Sequence, residues 1–437
     1  MSYFDFGNPV LNVVLNILIF VLISYPIIGA FSWFVQVLCY RFLFKDKQKD
    51  FKQIAPEQEP FITIMVPAHN EEIVIEATLR YLLEKIDYHE YEVLVMDDGS
   101  TDRTPQILET LMAEYPRLRV IRIDANKGKA HAFNIGVSFA KGDYILSNDA
   151  DTIPETDALW KYMNYFMYDA DTNIAAVTAN MDVQNRSRII EKSQTVEFSS
   201  IVGVIKRGQL GTLNTMYAYS GANTMYRKTA LLDAGLFRQD RATEDISIAW
   251  DQQLRGWTPV FAPDIMFFMA VPSTLRMLYR QRKRWAKGGT EVWLTNIPKI
   301  FLHPIKHLEQ FVMFVDQTFS IIWSLFYWVS LVLYIILMAR FLLAGNYERV
   351  FHMVAMSFIF VNYEMFAGLL QLGAALLIDE GGHKMKYLIF APFYLLLFWM
   401  INALTIATTF IPAIKTILGY GTGTWKSPER KAMEEHR

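Results

Sequence analysis

Long apolar runs near both ends of the chain enclose a central segment of mixed polarity. The first run covers residues 10–44 and consists almost entirely of Leu, Ile, Val and Phe, with Pro26 inside it. Three further runs cover residues 311–343, 351–378 and 387–414. A helix needs about 20 apolar residues to cross the hydrocarbon core of a bilayer. Each run is therefore predicted to span a membrane, the first either as one tilted helix or as a kinked, partly interfacial pair.

Strand-like and helix-like segments alternate in the central part. Short β-rich runs at 61–66, 92–96, 118–123 and 144–146 are separated by segments with helical spacing at 71–85, 105–115 and 129–139. This alternation predicts βαβ units and a mostly parallel sheet covered by helices on both faces. The predicted fold class is therefore α/β, a Rossmann-like mixed sheet inserted into an α-helical transmembrane bundle. In such sheets ligands bind beyond the carboxyl ends of the strands.

The change in polarity along the chain predicts five regions. They are an N-terminal transmembrane region (1–45), an α/β domain (55–270), amphipathic interfacial helices (271–307), C-terminal transmembrane helices (308–415) and a basic tail (416–437). Basic residues between Arg41 and Lys52 favour a cytoplasmic α/β domain by the positive-inside rule. Three spans after it would leave the tail outside, whereas basic residues from Lys415 to Lys431 favour the inside, so the side of the tail stays open.

Composition excludes some function classes. The hydrophobic fraction is 52% and the formal charge is −2, so no basic excess points to nucleic acid and no nucleic-acid partner is expected. Mean hydropathy is +0.17, which is high for a purely soluble protein. The single cysteine, Cys39, excludes a disulfide framework and a thiolate metal site, which favours a reducing compartment for the α/β domain.

Polar clusters recur where the predicted strands end. Residues 67–71 (Pro-Ala-His-Asn-Glu) follow the first strand, and residues 97–102 (Asp-Asp-Gly-Ser-Thr-Asp) follow the second. Two adjacent carboxylates exceed what a turn needs, and one could accept hydrogen bonds from a uracil ring and a ribose. Residues 126–130 (Asn-Lys-Gly-Lys-Ala) place a Gly and a Lys at a helix start, where a phosphate could bind. A strand stop, a capped turn and a solvated loop remain the structural alternatives.

Asp149 and Asp151 give the stronger signal for a metal. A period of two would project both carboxylates to the same side of the strand ends. Hard oxygen ligands at this spacing suit Mg²⁺ or Mn²⁺ bridging a diphosphate. The structural alternative is that both acids cap the turn before Pro154.

Two further motifs lie downstream. Residues 243–245 (Thr-Glu-Asp) precede an amphipathic helix, and they supply either a helix cap or a general base for an attacking hydroxyl. Residues 281–285 (Gln-Arg-Lys-Arg-Trp) lie in the basic interfacial segment. Arg284 could neutralise a leaving diphosphate and Trp285 could stack on a sugar. The alternative is that this segment anchors the chain at the membrane surface.

In this order, the six motifs resemble those of the processive family 2 glycosyltransferases, the GT-A group that includes cellulose, chitin and hyaluronan synthases. Within that group the chain is most similar to the bacterial poly-β-1,6-N-acetyl-D-glucosamine synthases, from about residue 60 to the tail. Supporting segments are 176–180, 197–207, 272–275, 285–292 and 424–430. Three motifs depart from the usual family sequence, at positions that could line the acceptor path. The usual Asn-Pro-Arg is Asn180-Met181-Asp182, Ala222 replaces a Val, and Lys287 replaces a Gln.

The resemblance implies an inverting, processive transfer of N-acetylglucosamine from UDP-N-acetylglucosamine to a growing, exported polysaccharide of the biofilm matrix. It implies a cytoplasmic GT-A glycosyltransferase domain whose metal is Mg²⁺ or Mn²⁺. The implied residues are Ala68, Glu71, Asp98 and, less strongly, Asp97 for the uridine; Lys129 and Asp149 for the ribose and phosphates; Asp151 with Asp149 for the metal; Asp245 with Glu244 for catalysis; and Gln281, Arg284 and Trp285 for the acceptor and diphosphate.

The resemblance also implies a multi-pass protein of the bacterial inner (cytoplasmic) membrane, in contact with membrane lipid and with a small two-helix accessory membrane protein. Asn362, Glu364 and Gln371 are polar residues inside an apolar run, and they face either such a partner or the chain's own product path. A hyaluronan- or chitin-type synthase and a non-processive membrane glycosyltransferase with a lipid-linked acceptor remain alternatives. A third alternative, from another functional class, is a transporter or membrane scaffold whose soluble domain has lost its enzymatic activity.

Overall fold

One mixed sheet forms the centre of the α/β domain. The computed structural model describes residues 9–39, 51–52, 54–168 and 173–420. Eight strands form the sheet in the order β3-β2-β1-β4-β7-β6-β8-β5. Their bounds are β1 (Ile62–Ala68), β2 (Tyr91–Asp98), β3 (Leu118–Ile123), β4 (Tyr144–Asn148), β5 (Thr152–Pro154), β6 (Ile174–Val183), β7 (Asn223–Arg227) and β8 (Thr258–Met269).

Helices cover both faces of this sheet. They are α2 (Ile75–Glu84), α3 (Thr104–Glu114), α4 (Lys129–Phe139), α5 (Ala158–Tyr168), α6 (Ile189–Phe198), α7 (Lys206–Leu213), α8 (Lys228–Ala234) and α9 (Glu244–Gln253), after a first helix α1 (Pro9–Cys39). One core contains Leu79 of α2 and Tyr162 of α5, and the core on the other face contains Phe133 of α4 and Ile248 of α9. The α/β prediction is thereby confirmed.

The first half of the sheet is parallel and the second half is mixed. β1 pairs in parallel with β2 and with β4, and every residue of β1 and β2 is buried, as expected for strands covered on both faces. β7 then runs antiparallel to both of its neighbours, β4 and β6. The carboxyl ends of β1, β2 and β4 consequently meet at one edge of the sheet, and the N-terminus of β7 lies beside them.

A single long helix, α10 (Leu275–Leu302), occupies most of the segment for which several interfacial helices were expected. The Thr274 hydroxyl caps its start by accepting a hydrogen bond from the Met277 amide. Pro298 lies within the helix and does not end it. The side of α10 that holds Gly288 and Glu291 is buried, so this helix packs against the α/β domain.

Four helical segments among the described residues are long and apolar enough to cross a membrane: Asn12–Gln36, Leu308–Leu343, Tyr347–Ile378 and Met385–Ile417. The first is one continuous helix around Pro26, not a pair. The next two are α11 (Leu308–Leu343) and α12 (Tyr347–Ile378), and the fourth contains α13 (Ala391–Phe393) and α14 (Trp399–Ile417). This is a membrane protein. The basic residues at 41–49 and the tail beyond residue 420 lie outside the described residues.

Candidate active site

Two loops at the sheet edge are tied together by side-chain hydrogen bonds. Asn70 adopts a left-handed backbone conformation (φ 57°), and its Oδ1 accepts a hydrogen bond from the Thr101 amide at 2.8 Å. The Asn70 amide donates to Ser100 Oγ at 2.9 Å. Ala68 and Glu71, the predicted uridine contacts of the first loop, are buried at its two ends. The loops after β1 and β2 therefore form one wall of the site.

The paired carboxylates Asp97 and Asp98 have different partners. Asp97 accepts a hydrogen bond from the Ser100 amide at 3.0 Å, which is the capped turn expected as the structural alternative. Asp98 accepts from the amides of Lys127 and Gly128 at 3.1 and 2.8 Å. Asp98 thus fixes the loop that opens α4, where Gly128 has a φ of 99° that favours glycine.

Lys129, the first residue of α4, connects the central carboxylates. Its ammonium lies 2.6 Å from Asp149 Oδ1 and 3.2 Å from Glu244 Oε1. It also donates a hydrogen bond to the Gly221 carbonyl at 3.1 Å. Burial alone would lower the pKa of Lys129, but Asp149 and Glu244 outweigh burial and raise it above its usual value. Lys129 therefore stays charged and places a cation between the two carboxylates.

The expected alternation of Asp149 and Asp151 is wrong, because neither residue lies in a strand. β4 ends at Asn148 and β5 begins at Thr152, and a turn between them is closed by the Thr152 amide donating to the Asp149 carbonyl at 3.2 Å. The Asp149 side chain is 30% exposed and meets Lys129, whereas Asp151 is buried. The two carboxylates therefore occupy different environments within this turn.

The donor set fits a metal that is completed by a substrate. Within the described ranges, no group of three or more His, Cys, Asp or Glu side chains converges on one point. Asp149 and Asp151 are two carboxylates of one turn. Mg²⁺ is typically bound by one or two carboxylates together with substrate phosphates and water. Two carboxylates are too few to enclose a metal by protein ligands alone. They suit a metal whose remaining ligands come from a bound diphosphate and water.

Asp245 lies in the first turn of α9, next to this cluster. Its Oδ2 accepts a hydrogen bond from the Gly221 amide at 3.1 Å, and its Oδ1 accepts from the Ile246 amide at 2.9 Å. Burial and the adjacent Glu244 carboxylate raise the pKa of Asp245 to about 6. The cations Lys129 and Arg284 oppose that rise. A carboxylate with a pKa this close to neutrality suits general-base chemistry.

Gly221 contacts both Asp245 and Lys129. Its amide contacts Asp245, and its carbonyl accepts hydrogen bonds from Lys129 and from the Ser147 hydroxyl. A Cβ on Gly221 would lie 3.0 Å from Lys129 Nζ and 3.1 Å from Glu244 Oε1. Glycine is therefore the residue that fits at this crossing.

Helix α10 holds the turn that carries Asp245. Gly288 lies directly against Thr243, since a Cβ on Gly288 would be 2.0 Å from Thr243 Oγ1. Glu291 accepts a hydrogen bond from the Ala242 amide at 2.8 Å and pairs with Lys287 at 3.1 Å. The position of Asp245 is thus set by the packing of its turn against α10.

In the 281–285 motif, the closest contacts belong to Arg282. Its guanidinium lies 2.6 Å from Glu197 Oε2, with both side chains buried, and 4.1 Å from the centre of the Trp285 ring. Stacking of Trp285 on a sugar was expected, but Arg282 covers one face of its ring. Arg284 is half-buried and near enough to Asp245 to lower its pKa. Gln281 Oε1 is buried and has no hydrogen-bond partner within the described ranges.

Comparison with known proteins identifies the family. Residues 63–234 match the family model described as Glycosyl transferase family 2. Over 419 residues, the chain is 32% identical to a poly-beta-1,6-N-acetyl-D-glucosamine synthase of Staphylococcus epidermidis, covering 94% of this chain and 97% of that protein. The chain belongs to glycosyltransferase family 2. This glycosyltransferase is also 34% identical over 415 residues to a protein of the same name from Staphylococcus aureus (strain COL), with the same coverage of each chain.

A solved structure with a similar fold supports the GT-A assignment. This glycosyltransferase matches a mannosyltransferase from Pyrobaculum calidifontis, solved in complex with GDP-Man and Mn²⁺, with a TM-score of 0.55. The match covers 82% of this chain and 98% of that one at 21% identity, so it concerns the fold alone.

The structure brings Lys129, Asp149, Glu244 and Asp245 of this glycosyltransferase together. It adds residues that had no role in the sequence analysis, namely Gly221, Arg282, Gly288 and Glu291. Arg282, Gly288 and Glu291 lie in segments that carry the family resemblance, and Gly221 directly precedes Ala222, one of the positions that depart from the family pattern. The contacts that these four residues make can be identified only from the fold.

Proposed function

We propose that this glycosyltransferase polymerises N-acetylglucosamine from UDP-N-acetylglucosamine into an exported poly-β-1,6-N-acetylglucosamine of a biofilm matrix. The main support is identity of 32–34% over 94% of the chain to relatives that carry this name. The position of Asp245 beside the Lys129 cluster supports the chemistry, because a base and a charge-neutralising group are what transfer from a nucleotide sugar requires.

In the proposed reaction, Asp245 acts as the general base. It takes the proton of the acceptor hydroxyl while that oxygen forms a bond to C1 of the donor sugar. The bond between C1 and the diphosphate oxygen breaks, and UDP leaves with the electron pair from the opposite face. The configuration at C1 is therefore inverted, and no carboxylate has to act as a nucleophile.

The other residues of the site hold charge and position. Lys129 pairs with Asp149 and Glu244, and Arg284 lowers the pKa of Asp245. Asp149 and Asp151 would hold Mg²⁺ or Mn²⁺, which would neutralise charge on the diphosphate when bound. The uridine would lie against the wall formed by the loops after β1 and β2, near Ala68, Glu71, Asp97 and Asp98. Gln281, Arg284 and Trp285 would border the acceptor and diphosphate.

We further propose that the protein lies in the bacterial inner (cytoplasmic) membrane with its catalytic domain in the cytoplasm, in contact with lipid. The proposal of a small two-helix accessory membrane protein rests on the family resemblance. Two of the polar residues of α12 have partners within this chain: Gln371 donates to Ser200 Oγ at 3.0 Å, and Asn362 donates to the Phe358 carbonyl at 2.7 Å. Glu364 is half-buried. The hydrogen bond to Ser200 therefore satisfies Gln371 within this chain, so Gln371 gives no support to the accessory protein.

The deciding experiment is reconstitution. The purified protein in lipid vesicles is supplied with UDP-N-acetylglucosamine, UDP-glucose or UDP-glucuronic acid, with and without the accessory protein, and the linkage of any polymer is determined. Of the three donors, we expect only UDP-N-acetylglucosamine to yield polymer, and we expect that polymer to be β-1,6-linked. The rate should be higher when the accessory protein is present. β-1,4-linked polymer, or a polymer requiring two donors, would instead assign a chitin- or hyaluronan-type synthase. Transfer of a single sugar to a lipid carrier would assign a non-processive enzyme.

A further inference from the structure

A buried arginine lies on the ring of Trp285. Arg282 is 5% exposed, and its guanidinium carbon lies 4.1 Å from the centre of that ring. The same guanidinium donates a hydrogen bond to Glu197 Oε2 at 2.6 Å, and Glu197 is 1% exposed. Glu197 belongs to α6, whereas Arg282 and Trp285 belong to α10. A carboxylate from a different helix therefore holds the guanidinium that contacts the indole ring.

Stability alone does not explain the pair of Arg282 and Glu197. An arginine and a carboxylate often form two parallel hydrogen bonds. Here Arg282 Nε and Glu197 Oε1 are buried and have no hydrogen-bond partner among the described residues. A buried ion pair adds little net stability, because desolvation offsets the attraction between the charges. The planar guanidinium is, however, well suited to stack on an aromatic face, which a lysine at position 282 would not do in the same way.

Trp285 lies one helical turn from the contact that holds the turn of Asp245. Gly288, three residues further along α10, is the residue that packs against Thr243. Three residues of α-helix advance by about 4.5 Å along the axis. The adjacent Arg284 is near enough to Asp245 to lower its pKa. Trp285 itself is half-buried, so part of its ring surface is accessible to a ligand.

Given the proposed function, in which Trp285 borders the acceptor, we infer that Arg282 is a positioning residue that fixes the orientation of the Trp285 ring against the terminal sugar of the growing chain. Glu197 holds Arg282 in place for this role. Without the guanidinium, the indole ring could rotate about its side-chain torsions. The terminal sugar would then be held less firmly opposite Asp245, whereas the binding of the nucleotide sugar would not change.

The first test is Arg282→Lys, which keeps a cation beside Glu197 but removes the planar group over Trp285. Polymer synthesis by the purified protein in lipid should fall about 10- to 100-fold, the size expected for a misplacement of up to about 1 Å in the site. The polymer should also be shorter, because a chain end that is held less firmly is released earlier. Thermal unfolding and the KM for UDP-N-acetylglucosamine should stay near wild type. In a purely structural role, activity would change only together with stability.

A second variant removes both charges. Burial raises the pKa of Glu197 and Arg282 opposes that rise, so loss of Arg282 alone would leave a buried carboxyl without its cation. The double variant Glu197→Gln, Arg282→Met avoids this, and neutral replacement of a buried ion pair is often tolerated. It should fold, as thermal unfolding checks, and it should show the same loss of synthesis and of polymer length as Arg282→Lys.

A double-mutant cycle shows whether Arg282 acts through Trp285. Trp285→Leu removes the ring and should itself reduce synthesis. Adding Arg282→Lys to Trp285→Leu should cause no further loss, since no ring is left to orient. An equal fold-loss in both backgrounds would overturn the inference, because Arg282 would then act independently of Trp285.

The matched control is Arg117→Lys, since the guanidinium carbon of Arg117 lies 5.1 Å from the ring centre of Tyr91. Tyr91 begins β2, and Asp98 ends it, so this stack lies at the end of the strand away from the site. The control should match wild type in rate, polymer length and donor KM. A raised donor KM in Arg282→Lys, or full synthesis in that variant or in the folded double variant, would overturn the inference. A wild-type protein that makes no polymer from any UDP-sugar would contradict the proposed function instead.

Discussion

Replacing Gly288 by alanine should displace the turn that carries Asp245. A Cβ at this position would lie 2.0 Å from Thr243 Oγ1 and 2.7 Å from both Thr243 Cβ and Cγ2. Ordinary contact begins at 3.4 Å, so the hydroxyl would have to retreat by about 1.4 Å. Rotation about χ1 can move Oγ1 and Cγ2 but not Cβ. The backbone of Thr243 would therefore shift by roughly 0.7 Å and would carry the turn with it.

Two general effects set the loss of stability and the loss of rate that we expect for Gly288→Ala. Overpacking a close contact costs about 1–3 kcal/mol of stability. A misplacement of about 1 Å at a catalytic group costs on the order of 10²-fold in rate. Helix propensity alone predicts the opposite sign for stability, because alanine is favoured over glycine within a helix by about 0.5–1 kcal/mol. A loss would therefore report the contact with Thr243 and not the intrinsic preference of α10.

The assay is initial-rate polymer synthesis together with thermal unfolding of the purified protein in lipid. Gly373→Ala in α12 is the control, since the atoms nearest to its Cβ, those of Leu388, are at 3.9–4.0 Å. Thr243→Gly in the Gly288→Ala background removes all three clashing atoms. Thr243 Oγ1 has no hydrogen-bond partner among the described residues, and glycine at a helix N-cap costs only a few tenths of a kcal/mol.

We expect Gly288→Ala to lose about 10²-fold in kcat, Gly373→Ala to match wild type, and the double variant to recover most of the loss. If Gly288→Ala retains full rate and stability, the idea that α10 positions the base is refuted. If the rate falls but Thr243→Gly restores nothing, the effect does not arise from this contact.

Three further predictions concern the charged groups of the site. Asp245→Asn should reduce transfer by about 10²–10⁴-fold with UDP binding nearly intact, and a variant retaining more than about a tenth of the turnover would exclude Asp245 as the base. Asp151→Ala should weaken UDP-N-acetylglucosamine binding, measured by calorimetry, and remove stimulation by divalent metal, whereas full wild-type activity in excess EDTA would contradict the metal proposal. The wild-type kcat/KM should fall as the pH drops through about 6, because protonation removes the base. Arg284→Met removes a cation that lowers the pKa of Asp245, so this acidic limb should move to higher pH, and an unmoved limb would remove Arg284 from the electrostatics of the base.

Local patterns in the sequence predict the first half of the sheet well. The strand at 118–123 and the helix at 129–139 have the predicted bounds, because apolar periodicity and a glycine before the helix are local signals. The helix expected from residue 71 begins only at Ile75, because Glu71 belongs to the loop that is tied to α3 through Thr104. The order of β6, β7 and β8 depends on contacts between distant segments, which periodicity does not report.

In the candidate site too, local motifs identify important residues, whereas contacts between distant segments can be seen only in the fold. Motif order predicts that Asp149, Glu244 and Asp245 matter, and the fold brings them to one place around Lys129. The motif does not indicate that Arg282 is the buried arginine, since Arg284 is the residue in the family pattern. That difference is set by Glu197, which lies 85 positions earlier and 2.6 Å away. A buried ion pair can only be recognised when both partners are located.

The substitution at position 182 shows how distant contacts change the interpretation of a departure from the family text. Asp182 stands where an arginine is usual, and from sequence alone this position could line the acceptor path. In the fold, Asp182 is the penultimate residue of β6 and lies 3.1 Å from the ammonium of Lys384, which lies 2.9 Å from Asp379 in the turn after α12. All three side chains are buried, and Lys384 with Arg207 lowers the pKa of Asp379 against the opposing effect of burial. A buried carboxylate is tolerated only with a cationic partner, and Asp182 has two, Lys384 and Arg186. This departure therefore lies where the end of β6 contacts the turn after α12.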